Sequence, residues 1–316
     1  MFLTPYEKIW DMPFDGFSDE KKAPRWLGNL IWAVISAIFR PCFRIEITGR
    51  ENVRAFKGAG GLVLIGNHIS FLDVVCMYMA TRPSQWPRFM GRENLFSKAG
   101  GLLGHILSRV GAFPVKRDSA DRSALKRATH MLKNGEIVGI MPEGTRRGKS
   151  NMTPRLHSGA AFVARMGGAP ILPMTVRDVE RVKQKGKMLK FPKVTIEYGT
   201  PILVSDFDFL PKDERLDACT WYAMREVFAL SQRIPADQVD MKALFPEDRD
   251  FSDVFAQHEI PKHSSQEVAS AMREERAAKL ARAAEREAAK AAEKEAAKAV
   301  DGEAAEKAGK EVAAEA

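Results

Sequence analysis

From residue 61 the chain reads "GLVLIGNHISFLDVVCMYMA": an unbroken apolar run, a polar break, then apolar residues at helical spacing. A short continuous run stopped by polar residues predicts a strand buried on both faces over 61–67, and the stretch after the break predicts a helix. The alternation recurs downstream. "RVGAFPVKR" (109–117) reads as a strand, and "SALKRATHMLKNG" (123–135) as a helix with Leu125, Ala128 and Leu132 on one face and Asn134-Gly135 as its stop. "EIVGIMPEGTRRG" follows as strand then loop, "SGAAFVARMGG" (158–168) as a helix closed by glycines, and "APILPMTV" and "KVTIEYGTPI" as further strands. Strands alternating with helices predict an α/β fold: a single domain with a largely parallel or mixed sheet flanked by helices.

The two ends break this pattern. Residues 25–40, "RWLGNLIWAVISAIFR", hold 14 uncharged positions between Arg25 and Arg40, with Trp26 and Trp32 among the aliphatics. That is shorter than the ~20 residues of a spanning helix, and the run has no small-residue cleavage site. Tryptophan with flanking arginine suits a helix lying in the headgroup region, so residues 1–43 are expected to carry a membrane-interfacial helix. From 264 onward the composition collapses to Ala, Glu, Lys and Arg, as in "EERAAKLARAAEREAAKAAEKEAAKAV". Such a segment has nothing to bury, and 264–316 is read as a charged tail, a solvated helix or disordered. The expected order is then an N-terminal segment (1–43), the main domain (44–235), a linker (236–263) and the tail.

Charge narrows the partners. The 316-residue chain is 45% hydrophobic, enough for a substantial core, and carries a formal net charge of +8. Residues 264–316 are net −2, so the remainder carries +10. The basic character belongs to the folded part. It points to nucleic acid, an acidic membrane surface or phosphorylated substrates. No zinc-finger spacing, aromatic RNP-type strand or helix-turn-helix is present, so no nucleic-acid partner is expected. Cys42, Cys76 and Cys219 are widely spaced and odd in number, and no H-E-x-x-H occurs; neither a disulfide framework nor a metal site is expected. The basic stretch "RDVERVKQKGKMLKFPK" (177–193) reads either as a solvated connection or as an electrostatic contact with anionic lipid.

In open α/β sheets ligands bind outside the C-terminal ends of the strands. His68 and Asp73 follow one predicted strand, Arg117 ends another, and "PEGTR" (142–146) follows a third. Ser70 and Asp73 also have the S-x-x-D spacing of a capping box, so this stretch alone reads equally as a helix start or a catalytic pair.

Four blocks taken together, "NHISFLD", "GAFPVKR", "PEGTR" and "APILPMTV" in this order, resemble the glycerolphosphate acyltransferase family. The resemblance runs from "FRIEITGRENV" (43–53) to "YGTPI" (198–202). It implies transfer of a fatty acyl chain from a thioester to the 2-hydroxyl of 1-acyl-glycerol-3-phosphate, giving phosphatidic acid in phospholipid biosynthesis. The alternatives are another lysophospholipid or glycolipid acceptor, or a non-catalytic lipid-binding scaffold.

The chemistry explains these residue types. Acyl transfer to an alcohol needs a base for the hydroxyl proton, a task for an imidazole, and His68 is the candidate. Asp73 would fix its tautomer and stabilise the imidazolium. The acceptor hydroxyl is itself the nucleophile, so no serine or cysteine is needed. A phosphomonoester calls for charge-assisted donors, and the resemblance assigns Arg117, Gly144, Thr145 and Arg146 to it. In support, Asn67 would hold the turn, Ser70 cap the helix and Glu143 position an arginine or the loop. Pro173 belongs to a site-shaping strand, the block the family associates with the acyl donor. No cofactor is expected; acyl-CoA or acyl carrier protein would be the donor substrate. The expected location is the cytoplasmic face of the cell membrane, peripheral or monotopic. One departure stands out: many family members continue after "EGTR" into a Phe-Lys-x-Gly block, where this chain has "PRLHSGAA", with Arg155 and His157.

Overall fold

A computed structural model describes residues 5–14, 23, 25–116, 121–147, 153–182, 188 and 190–314, with side chains as far as residue 290. It divides into two compact units, Met1–Ser270 and Ala271–Ala316. The strands are β1 (Glu46–Thr48), β2 (Leu62–Gly66), β3 (Pro87–Arg92), β4 (Ala112–Val115), β5 (Ile137–Ile140), β6 (Ile171–Arg177) and β7 (Thr195–Tyr198). The helices are α1 (Tyr6–Ile9), α2 (Trp26–Phe43), α3 (Arg50–Ala55), α4 (Phe71–Thr81), α5 (Glu93–Phe96), α6 (Leu102–Arg109), α7 (Arg122–Lys133), α8 (Gly159–Gly167), α9 (Arg215–Gln232), α10 (Met241–Leu244), α11 (Ser252–Gln257) and α12 (Ser265–Ala314).

One seven-stranded sheet organises the larger unit, in the order β1-β7-β6-β2-β5-β3-β4. All pairings are parallel except β6 with β7, so the sheet is mixed. β6 pairs with β2 over its first half and with β7 over its second. Pro173, which has no N–H to give, sits where the β7 ladder ends, and its carbonyl accepts the Gly199 N–H at 2.8 Å. β2 is central: Leu62, Val63, Leu64 and Ile65 are all fully buried. Each such side chain contributes ~1.5–3 kcal/mol relative to an exposed one. Val63 and Ile65 join Val138, Ile140 and the alanine-rich faces of α7, α8 and α9 in the main core, where Ala160, Ala161 and Ala164 let the helix approach closely.

Two elements are hidden in the sequence. β3 reads as Pro, two Arg and a Gly, yet Arg88 within it is fully buried and fully paired. It donates to Gly111 O at 3.0 Å, Glu136 Oε2 and Met12 O at 2.9 Å each, and Trp10 O at 2.6 Å, tying the N-terminal segment to the sheet. α9 packs on β6 and β2 while also meeting α8, so it buries more than one face and shows no clean stripe.

Residues 236–263 are not a linker. Val239, Met241, Phe245, Phe251 and Ile260 are buried in the main core, and Leu156 N–H donates to Asp248 Oδ2 at 2.7 Å. The apolar anchors are spaced among charged residues, which disguised them. At the other end α2 is longer than the 14 uncharged positions: its 18 residues continue through Arg40 and are long and apolar enough to cross a membrane by length and composition alone. Trp26, Leu30, Val34 and Ile38 form an exposed stripe at four-residue spacing along it. Gly28 lets α2 dock, since a Cβ there would meet Arg109 O at 2.5 Å and the Trp86 ring at 2.6 Å.

Candidate active site

The turn after β2 delivers the first group. Ser70 is the N-cap of α4, its Oγ accepting the Leu72 N–H at 3.3 Å. Asp73 Oδ2 accepts the backbone N–H groups of Ile69 and Ser70 at 2.7 and 2.8 Å. The same oxygen lies 3.1 Å from His68 Nδ1. The capping box and the His–Asp pair therefore coexist, and one carboxylate holds both the helix start and the imidazole. Asp73 is 3% exposed and His68 16%, so the ring reaches the surface while its partner does not. Asn67, also buried, accepts the Thr175 hydroxyl at 3.1 Å, fixing the turn to β6.

The loop after β5, the neighbouring strand, forms the second wall. Glu143 Oε1 accepts the His68 backbone N–H at 3.1 Å, and the Arg147 N–H donates to His68 O at 2.9 Å, so the two loops are laced together at the histidine. Glu143 Oε2 pairs with Arg147 Nε at 2.6 Å. Burial pushes the Glu143 carboxyl above its ordinary range, against the opposing pull of Arg147 and His68. The Arg147 guanidinium lies over Phe228 and Phe245, 4.9 and 4.5 Å from the ring centroids, and donates to Leu244 O at 3.3 Å. Arg147 thus links the loops after β2 and β5 to α9 and α10. Sequence reasoning passed over it because an arginine next to Arg146 in a basic loop gives no sign that it is an internal strut.

Gly144 takes a left-handed conformation, φ 61°, and a Cβ there would lie 3.3 Å from His157 Cδ2. The "PRLHSGAA" segment is thereby placed against the "EGTR" turn. Arg155 Nε donates to Glu247 Oε2 at 2.8 Å, which anchors the segment from the far side. Thr145 and Arg146 lie partly exposed on this turn, and Arg146 has no ion pair among the described residues. Arg117 lies outside the described residues; β4, the strand leading to it, is three strands from β2. Pro173 is buried within β6, two residues before the Thr175 that holds Asn67.

No thiol is placed to act as nucleophile here: Cys76, on α4, is buried, and burial together with the nearby Asp73 charge pushes it up to about 12. No cluster of three metal-ligating side chains occurs among the described residues.

A family model described as Acyltransferase matches residues 44–177, which contain the whole of this arrangement except its contacts with α9, α10 and Glu247. The chain is 34% identical over 190 residues to 1-acyl-sn-glycerol-3-phosphate acyltransferase of Bacillus subtilis, a match covering 60% of this chain and 86% of the relative. The chain belongs to this acyltransferase family. It is 30% identical over 145 residues to the protein of the same name from Streptococcus pneumoniae, covering 46% of this chain and 51% of that one. Among solved structures, it is similar to the 1-acyl-sn-glycerophosphate (LPA) acyltransferase from Thermotoga maritima, with TM-score 0.46, 20% identity, and 64% of this chain and 80% of that chain covered. The matched region of this family member holds both walls of the site, so the His–Asp pair and the "EGTR" turn lie within the shared part of the chain.

Proposed function

We propose that this acyltransferase moves a fatty acyl chain from a thioester to the 2-hydroxyl of 1-acyl-glycerol-3-phosphate, producing phosphatidic acid. The observation that carries the reading is the 3.1 Å pairing of His68 Nδ1 with a buried Asp73 that is itself held by two backbone N–H groups. With Asp73 accepting from Nδ1–H, Nε2 carries the lone pair that takes the acceptor's hydroxyl proton. The freed oxygen attacks the thioester carbonyl, the C–S bond breaks, and the departing thiolate receives the proton back from Nε2. Asp73 stabilises the imidazolium between the two transfers.

Gly144, Thr145 and Arg146 are proposed to form the turn that holds the acceptor phosphate through the Thr145 hydroxyl and the Arg146 guanidinium, with Arg117 as a further donor. They suit it chemically: a tight turn at a left-handed glycine, a hydroxyl and a guanidinium with no ion-pair partner among the described residues. Glu143 fits a positioning role, since both its oxygens are directed at the histidine loop and Arg147. The exposed stripe on α2 and the basic residues of 1–263 support attachment to the cytoplasmic face of a membrane. The donor is acyl-CoA or acyl carrier protein.

The acceptor is tested by offering the purified protein lysophosphatidic acid, lysophosphatidylcholine and lysophosphatidylglycerol with one acyl-CoA and following thiol release. Turnover confined to lysophosphatidic acid supports the phosphomonoester site. Equal turnover on all three moves the assignment to another lysolipid class.

A further inference from the structure

α6 is built inside out. Its buried positions are Gly104, Ser108 and Arg109, while Leu102 and Ile106 are 57% and 37% exposed and Leu103 and Leu107 are only half-buried. At 100° per residue these four apolar side chains share an arc of about 140°. A helix of a soluble protein turns such an arc toward the core. Here the inward side is already committed to small and polar groups. A Cβ on Gly104 would meet Phe96 O at 2.3 Å, Ser108 Oγ accepts the Trp10 indole N–H at 2.8 Å, and Arg109 Nη1 donates to His105 O at 3.2 Å. Single exposed leucines are ordinary, but a whole apolar helix face turned outward marks an interaction surface.

The neighbouring helix repeats the pattern. α2 buries Gly28, Ser36 and Phe43 and exposes Trp26, Leu30, Val34 and Ile38. It packs against α6, with Gly28 close to the Arg109 carbonyl, so two outward apolar faces stand on adjoining helices. Neither helix contains an Asp or Glu. Arg92 and Lys98 are exposed ahead of α6, and Arg40 near the end of α2. Glu93, the acid in the stretch 92–117, is faced by Lys116 at 4.0 Å. Apolar faces rimmed by cations match an anionic bilayer surface.

Topology says what such a contact would do. β3 and β4 are adjacent and parallel, so the chain between them must return along the sheet. α6 therefore starts toward the edge where β2 and β5 deliver His68 and the "EGTR" turn, and ends at the opposite edge. Leu102 is at the near end. Phe71, the first residue of α4 and 58% exposed, stands at that same edge. We propose that α6 is a second limb of the membrane-docking face, with Leu102 and Ile106 lying in the bilayer interface beside α2 and holding the His68 edge of the sheet against the lipid surface. The proposal rests on the reading of α2 as a membrane element.

The test sediments the full chain with vesicles of phosphatidylcholine and phosphatidylglycerol, beside the double variants Leu102→Glu/Ile106→Glu and Leu102→Met/Ile106→Met. Leu280→Glu, at a leucine 60% exposed on α12, is the control for added charge. The Glu pair should raise the lipid concentration for half-binding by at least about tenfold, since burying two such side chains is worth more than one decade of a partition equilibrium. The Met pair and Leu280→Glu should bind as the wild type does. Turnover on lysophosphatidic acid embedded in vesicles should fall with the bound fraction in the Glu pair, and turnover on a short-chain, monomeric lysophosphatidic acid should not. Wild-type vesicle binding by the Glu pair overturns the proposal, as does an equal loss in Leu280→Glu. If the Glu pair keeps its vesicle binding but changes its mass in lipid-free solution, α6 is covered by a second copy of the chain instead. The uncharged pair Leu102→Ser/Ile106→Ser decides the matter if the Glu pair melts early, a loss of binding supporting the limb and none overturning it. Binding lost in Leu30→Glu/Ile38→Glu but kept in the α6 variants strikes α6 alone; a wild type that binds no vesicle strikes the membrane reading of α2 and the limb with it.

Discussion

Asp73 does three jobs with one oxygen, and substitutions separate them. Asp73→Asn keeps a carbonyl oxygen for the backbone donors of Ile69 and Ser70 but loses the charge facing His68. It is expected to lower kcat by about 10²–10⁴-fold, the usual range for general acid–base catalysis, with little change in urea stability. Asp73→Ala should lose the same turnover and in addition ~1–3 kcal/mol, because two backbone donors are left unpaired. Parallel urea melts and kcat values check both; a normal kcat in Asp73→Asn would remove the aspartate from the mechanism. Glu143 gives a pH signature. Its folded pKa is raised above the ordinary 4.5, so the folded state holds the proton more tightly than the unfolded one. Stability from this group is present in full below the ordinary value and is lost as pH rises through the raised one. The stability of wild type relative to Glu143→Gln should therefore fall as pH is raised from about 4.5, and urea melts across that range would contradict this by showing no slope or the opposite one. At this scale the sequence was legible where spacing encodes contact: five positions put His68 and Asp73 across one helix cap. It was silent on Arg147 and Thr175, whose roles depend on loops and strands far apart in the chain.

The elements show the same division. β2, α7 and α8 follow the apolar pattern because each buries one plain set of positions, whereas β3 hides behind Arg88 and α9 behind its several buried faces. Periodicity cannot report a buried charge that is paid for by partners from other segments. α2 is the element whose exposed face needs a cover. Leu30→Glu and Ile38→Glu replace exposed residues, so the melting temperature should stay the same while the fraction recovered with membranes drops. The remaining binding should weaken in high salt, as expected for basic residues at an anionic surface. Unchanged membrane recovery in the double variant would mean that the stripe faces something else.

For the whole molecule, the sheet order places β2 and β5 side by side, and this adjacency brings the "NHISFLD" and "EGTR" loops together at one edge. The α/β class was readable from the alternation of elements, but not the reversal at β7 or the packing of 236–263, since both depend on tertiary contacts. Ala271–Ala316 forms a unit by itself, so a chain ending at Ser270 should keep its melting temperature and turnover, and a fall in either would show that the tail contributes to the fold. The central claim is that the His68–Asp73 pair drives acyl transfer. Its most direct test is thiol release from acyl-CoA by the detergent-solubilised protein, with and without lysophosphatidic acid, beside His68→Ala. The account predicts release that requires the acceptor and falls by about 10²–10⁴-fold in the variant; acceptor-dependent release at the wild-type rate in His68→Ala would contradict it.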